Sequence, residues 1–521
     1  MKKLPDGIQS FPKLRNGDYL YVDKTEHIFG MIKYEKPFFL SRPRRFGKSL
    51  LLSTIEEIFE GNKSLFEGLY IYNKWDWEQK FPVIRLDFGG IANNSPEILQ
   101  ESLTNAVNRN AKKYGIKLNY SFLSDKFSEL IEKMHESTGK KVVILIDEYD
   151  KPITDRIDTP EIMAGNKKIL HDFYQILKVC DKHIRFIFMT GVSKFAGLTI
   201  FSGLNNLNDI TLDEKFASIC GYTQEELEHY FTEYLDVFAA KYNMSKEELL
   251  DAIRHWYNGF SWDGKTMVYN PYSTLLFFDK LEFSNYWFSS GTPTFLIEIL
   301  KKRNNLKPIL EPITSDSSIF NSFDPFSISE IALLFQTGYL TVKNKEFTNF
   351  QYLYTLDIPN NEVKDSLLKY LLNAYSYYPE WQEYELKQLM QKQLQDGDAT
   401  GLEKSLREMI AYIPYPLHIE NEAYYHSIML LWLKIQGFDI TGEITTNVGS
   451  IDAVLKFPGH TIVAEVKCRS KKGRIATLLT NAMKQIEEKR YYERFMNDKK
   501  VSLLSIVFAE KEIGCRIVEK K

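Results

Sequence analysis

Phe38-Phe39-Leu40-Ser41-Arg42-Pro43-Arg44-Arg45-Phe46-Gly47-Lys48-Ser49 passes from a short apolar run through a basic loop into the helix-forming stretch Leu50–Phe59. A strand, a loop and Gly-Lys-Ser opening a helix together make a cradle for phosphate. Loop and helix amides, here around Arg45 and Gly47, meet the phosphate oxygens. The Lys48 ammonium reaches the terminal phosphates, and the Ser49 hydroxyl holds Mg²⁺. The pattern G-x-x-x-x-G-K-[ST] is broken at its first position, where Arg42 replaces glycine. Taken alone, Gly-Lys-Ser also fits a solvated basic loop that caps a helix.

A second stretch decides between the two. Val142-Val143-Ile144-Leu145-Ile146 is an apolar strand that ends in Asp147-Glu148-Tyr149-Asp150. Ligands of parallel sheets gather beyond the carboxyl ends of the strands, which puts Asp147 and Glu148 at the same edge as Lys48. Asp147 is then the Mg²⁺ ligand, and Glu148 the base that polarises the attacking water. A third strand, Arg185–Met189, ends in Thr190-Gly191-Val192-Ser193. Thr190 or Ser193 either senses the terminal phosphate or is a plain polar strand end, and Asp87 is open in the same way. Apolar runs at Pro37–Leu40, Val83–Phe88, Val142–Ile146 and Ile184–Met189, separated by amphipathic stretches, predict a mostly parallel sheet covered on both faces.

The chain has 521 residues, which suggests three or four folding units, and 44% of them are hydrophobic against 26% charged. With 66 Lys/Arg against 69 Asp/Glu, a histone-like polycation is excluded. The positive charge is local: residues 466–500 hold eleven Lys/Arg and four Asp/Glu, enough for a phosphate backbone. Four scattered cysteines without a C-x-x-C pair argue against a zinc ribbon or a disulfide framework. No signal peptide or membrane-spanning run is visible, so a soluble cytoplasmic chain is expected.

Residues 1–220 read as the core of the first domain. From Gly221 the texture turns helical, with capping-box patterns at Thr223–Glu226 and Ser245–Glu248, so 221–300 reads as a helical lid. Residues 301–415 read as a mixed, mainly helical connector. In it, a helix at Ile328–Val342 followed by a hairpin near Gln351–Leu356 is compatible with a winged helix. Residues 416–521 form a last α/β unit. A helix is expected at Asn421–Gln436, strands near 438–443, 449–456 and 460–467, a basic helix at 473–494 and a final strand at 501–508.

That unit carries a second constellation. Gly449–Leu455 and His460–Lys467 are strands joined by a turn at Pro458-Gly459. Residues two apart share a strand face, so Glu465 and Lys467 project together and the hairpin brings Asp452 beside them. Two carboxylates make a hard oxygen site for Mg²⁺, and a nearby lysine orients or deprotonates the attacking water. An ordinary cross-strand Glu–Lys pair is the plain alternative. Glu422 on the preceding helix adds a candidate ligand. Lys484, Gln485, Lys489 and Arg490 on the basic helix are candidate nucleic-acid contacts. Tyr491 and Tyr492 either stack on bases or belong to the core.

Arg44–Ser49, Leu145–Asp150 and Tyr21-Val22-Asp23-Lys24-Thr25 resemble the bacterial AAA-ATPase-like family. Trp256-Tyr257-Asn258-Gly259-Phe260 and Tyr269-Asn270-Pro271-Tyr272-Ser273 resemble its helical region, so the likeness covers roughly residues 4–300. In that family the first loop glycine is commonly replaced. Residues 421–495 resemble the PD-(D/E)xK nuclease module often found behind this ATPase, through Asn421–His426, Asp452, Glu465-Val466-Lys467 and Gln485–Lys489. Ser450 departs from it, standing where such modules often carry arginine.

The expected fold class is therefore α/β: a P-loop NTPase sheet, a helical lid, a connector and a restriction-endonuclease-like domain. The resemblance implies ATP and Mg²⁺ as cofactors and nucleic acid, DNA ahead of RNA, as partner. It also implies a place in bacterial defence or in a mobile element. The expected activity is ATP hydrolysis coupled to metal-dependent cleavage. The alternative is a nucleotide-controlled switch that binds nucleic acid or a protein without cutting. Homo-oligomerisation is open, and Arg156 is the guess for an arginine finger.

Overall fold

Continuous apolar runs have no polar face to turn to water, so they form strands covered on both sides. The computed structural model describes residues 1–194, 206–289, 311–321, 323–324, 327–376, 380–411, 431–432, 434–435, 439–441, 450–469, 474–509 and 512–520, with 296, 300 and 309. The chain divides into two compact units, Met1–Thr292 with Ile313–Val363, and Pro293–Pro312 with Lys364–Lys521.

The first unit is built on strands β1 (Pro37–Ser41), β2 (Val83–Asp87), β3 (Val142–Asp147), β4 (Ile184–Gly191) and β5 (Asn208–Asp209). Their order is β2-β3-β4-β1-β5 and every pairing is parallel. All residues of β1 and β3 are buried. Four helices, Lys48–Glu60, Pro96–Lys113, Leu123–Thr138 and Pro160–Val179, supply the connections that parallel strands require. The loop-bearing β1 and the acid-bearing β3 thus flank β4, and all three point their carboxyl ends to one edge.

Tyr21–Thr25, part of the family likeness, turns out to be a fastening. The Asp23 carboxylate accepts the amides of Thr25 and Tyr70, and the Thr25 hydroxyl accepts the amide of Ile71. The Lys24 ammonium, buried, meets both carboxylate oxygens of Glu226 at 2.6 Å. Burial depresses the Lys24 pKa, and the neighbouring Glu226 opposes that shift.

Both expected capping boxes form, at Thr223/Glu226 and Ser245/Glu248. The helices they open, Gln224–Tyr230 and Lys246–Tyr257, bury Leu227, Leu249 and Ile253 in one cluster with Phe231, Leu235 and Phe277. Farther along come β6 (Ile313–Asp316) and a two-residue ladder, β7 (Phe323–Asp324) with β8 (Ser327–Ile328). The helix expected at Ile328–Val342 is shorter, Glu330–Thr337, because Gly338 at φ 92° takes the left-handed conformation that ends helices. Beyond it the chain turns to strand: β9 (Thr341–Thr348) pairs with β10 (Gln351–Asp357), which also pairs with β6, all antiparallel.

The second unit carries β11 (Asp439–Thr441), β12 (Ser450–Phe457), β13 (His460–Arg469), β14 (Lys500–Ala509) and β15 (Glu512–Glu519), in that spatial order. Only β13 and β14 run parallel in this sheet, and helix Ile475–Lys489 is their crossover. That helix packs Met483 and Ile486 on Val463 and Leu503. It stops short of the expected 494 because Arg490 turns left-handed at φ 55° and a 3-10 turn follows. Strand β15 was not foreseen. The helix expected at Asn421–Gln436 falls mostly outside the described residues, and Glu422 wholly so. Among the described residues no helix is long and apolar enough to cross a membrane.

Candidate functional site

The phosphate loop is shaped by two left-handed residues. Gly47 (φ 86°) precedes helix Lys48–Glu60, and Arg45 (φ 68°) adopts the same region without being glycine. Alternating hand along a short loop turns successive amides into one concavity, the geometry that holds anions. Lys48 is buried, and its ammonium donates to the carbonyls of Arg42 (2.8 Å) and Pro43 (2.9 Å). Burial lowers its pKa, while Asp147 leads the carboxylates that favour its charge.

At the facing edge, Asp147 is buried and its Oδ1 accepts the Thr190 hydroxyl at 2.6 Å. Of the two readings of Thr190, the structure gives it a definite partner: it orients the acid. Ser193 is buried and uses its backbone, its amide donating to Asp150 at 2.7 Å and its carbonyl accepting the Tyr149 hydroxyl at 2.8 Å. Glu148 sits in the left-handed region at φ 52°. Burial raises its pKa, and Asp147 adds to the rise. Asp87 lies directly across from Asp147 in the parallel register. A side chain at Gly89 would come within 2.8 Å of Asp87 Oδ1 and 3.0 Å of Glu148 Oε2, so glycine is needed for both carboxylates to converge. The donor set Asp147, Glu148 and Asp87 is all oxygen, which fits Mg²⁺. Arg156 is anchored to the side chains of Asn93 and Asn94.

Asp150 is a residue whose part sequence reasoning missed. It is buried, and it accepts the amides of both Val192 and Ser193, tying the end of β3 to the end of β4. Burial pushes its carboxyl up to about 6. The signal was the third acid of Asp-Glu-Tyr-Asp.

Arg42, read as a departure from the loop pattern, is a buried strut. Its guanidinium donates to the carbonyls of Ser41, Thr211 and Phe216 and lies 3.9 Å over the ring of Trp262. Burial lowers its pKa to about 10. The ring of Phe46 packs edge-on against Phe260 (4.9 Å) and Trp262 (5.4 Å). Restoring the motif glycine with Arg42→Gly should therefore harm the protein, stranding three carbonyls and emptying the space over Trp262. The expected loss is about 3–5 kcal/mol in chemical denaturation, with no recovery in Arg42→Lys, which lacks the planar fork.

In the second unit, Asp452 and Glu465 are directly opposed residues of β12 and β13, and Ser450 is opposite Lys467. Glu465 is fully buried at the middle of the sheet. Its partner on β14 is Ser505, whose buried hydroxyl has no hydrogen-bond partner among the described residues. Two carboxylate residues at opposed register positions suit a hard divalent cation. The Lys467 ammonium donates to Gln485 Oε1 at 2.5 Å, so Gln485 holds the lysine. Lys484 pairs with Glu488, and Arg490 with Glu493, which tempers the positive face of the helix. Of Lys489 only the backbone, at the helix end, is described. Tyr492 packs on the Val463–Leu503 cluster and so takes the core alternative.

Comparison with known proteins agrees with both domains. Residues 5–201 match the AAA-ATPase-like model, a predicted AAA-ATPase, and residues 420–517 match the PD-(D/E)XK nuclease superfamily. Over 515 residues the chain is 38% identical to an uncharacterized protein in the vnfD 5' region of Azotobacter chroococcum mcd 1. That alignment covers 98% of this chain and 96% of the relative.

Proposed function

Because the chain belongs to the AAA-ATPase-like family and carries a PD-(D/E)XK nuclease superfamily domain, we propose that it hydrolyses ATP and cleaves DNA, both with Mg²⁺. The observation that carries the reading is the meeting of the Lys48 loop with Asp147 and Glu148 at one sheet edge, in a chain that also opposes Asp452 to Glu465.

At the first site, the loop amides and Lys48 would bind the phosphates, and Asp147, held by the Thr190 hydroxyl, would take the metal. Glu148, its carboxyl raised by burial, takes a proton from the attacking water. At the second, Asp452 and Glu465 hold the cation and Lys467, steadied by Gln485, orients the water. Mg²⁺ supplies charge stabilisation to phosphoryl oxygens at each.

The test is cleavage of single- and double-stranded DNA and RNA with Mg²⁺, in ATP, in ADP and without nucleotide. The expected result is metal-dependent cutting of DNA whose rate changes with ATP. No cutting under any of these conditions would overturn the nuclease reading in favour of a nucleotide-controlled binding switch.

A further inference from the structure

The phosphate loop is not held by the family-matched residues 5–201 alone. The Trp287 indole N–H donates to the carbonyl of Arg44 at 3.2 Å. The Asn270 amide nitrogen makes a longer contact, 3.5 Å, to the carbonyl of Arg45. The Arg45 guanidinium lies 4.9 Å from the centre of the Tyr272 ring. All three partners lie beyond residue 201, where the ATPase family match ends.

The consequence follows from the peptide bond. In a trans peptide the carbonyl of one residue and the N–H of the next point in opposite directions, and the described chain has no cis bonds. A carbonyl fixed against Trp287 therefore turns the Arg45 amide away from Trp287. A carbonyl fixed against Asn270 turns the Phe46 amide away from Asn270. Those two amides belong to the stretch between Arg42 and Gly47 that would face phosphate. Left alone, Arg45 would leave its left-handed conformation, which costs a side-chain-bearing residue about 1–2 kcal/mol.

Asn270 and Trp287 are themselves well supported. Asn270 is fully buried and caps helix Pro271–Lys280, its Oδ1 accepting the Ser273 amide. The Trp287 amide donates to Glu362 at 2.7 Å, and the Ser273 hydroxyl donates to the same carboxylate. Glu362 is buried, which pushes its carboxyl up to about 7. The two donors thus sit on a shared polar core and are not loose side chains.

We propose that Asn270 and Trp287 are positioning residues of the nucleotide site, setting the loop amides of Phe46 and Arg45 for phosphate by gripping the carbonyls behind them. The inference rests on the nucleotide reading above.

The test uses two single-residue variants of the full chain. Trp287→Phe keeps an aromatic ring and removes the N–H. Asn270→Asp keeps the cap acceptor for Ser273 but sets a carboxylate against the Arg45 carbonyl. Binding of ATP with Mg²⁺ is measured by calorimetry, and folding by the melting curve without nucleotide. Each variant should melt as a folded protein yet bind ATP roughly five- to tenfold more weakly, the size expected for one lost hydrogen bond with its partner left in place. In turnover, KM should rise with kcat less affected. Wild-type affinity in both folded variants, with binding lost in Lys48→Ala, would overturn the positioning role and leave the nucleotide site standing. If wild-type protein itself binds no ATP, both readings fall together.

Discussion

Lys48→Ala protein is expected to bind no ATP, whereas Glu148→Gln protein binds it and hydrolyses it roughly 10²–10⁴-fold more slowly. The two effects differ because the two side chains meet different parts of the reaction. Lys48 already occupies the loop, bonded to the carbonyls of Arg42 and Pro43, so its removal takes away both the phosphate contact and a brace of the cradle. Glu148 stands beside Asp147 and Asp87, and burial with like charge raises its pKa above the ordinary glutamate value. A base must be ionised to act, so hydrolysis should fall on the acid side at a higher pH than an exposed glutamate would give. The residual activity of Glu148→Gln should lack that acid limb. Calorimetry separates the variants by affinity and a phosphate-release assay by rate. Equal turnover in wild type and Glu148→Gln would remove Glu148 from the chemistry.

Losses of similar size are expected in the second unit. Asp452→Asn and Glu465→Gln should each abolish detectable cleavage, on the order of 10³-fold or more, because each removes a ligand of a metal that both activates water and stabilises charge. Affinity for nucleic acid should survive, since it comes from the helix and strand ends around the site. Glu465→Gln should also lose the rise in melting temperature that Mg²⁺ gives the wild type, a readout independent of cutting. Gln485→Leu removes one hydrogen-bond partner of Lys467 without deleting the lysine, and a loss of about 10–100-fold, as for other groups that orient ligands, is expected. If Gln485→Leu matched Lys467→Met in severity, the glutamine would be doing chemistry itself.

The strands of the first sheet were legible because each is a continuous apolar run, and the acids after β3 were legible because they interrupt one. Their order was not. β1 pairs with β4, and β2 with β3, through contacts between residues far apart in sequence. The opposition of Asp452 and Glu465 could be read from the two-residue period of strands and a short turn. The shortened helix at Glu330–Thr337 turned on one glycine, whereas β15 went unread because its alternation, Ile513, Cys515, Ile517, is short and comes directly after another strand. Arg42 misled for a physical reason: a motif states what phosphate needs, not what the rest of the protein does with the position. Nothing local in the sequence reveals that its guanidinium reaches Thr211, Phe216 and Trp262.

The grip on the loop from Asn270 and Trp287 also bears on how the protein is made. Lys48 leaves the ribosome about 240 residues before Trp287, a delay of roughly 10–50 s at ~5–20 residues per second. During that interval the nascent chain carries the phosphate-loop motif but not the residues that hold its carbonyls. ATP should stabilise such a chain less, and a truncated product ending before residue 270 should gain less protection from nucleotide against proteolysis than the full chain. Synthesis past Trp287 then becomes the point at which ATP should favour the folded unit in full.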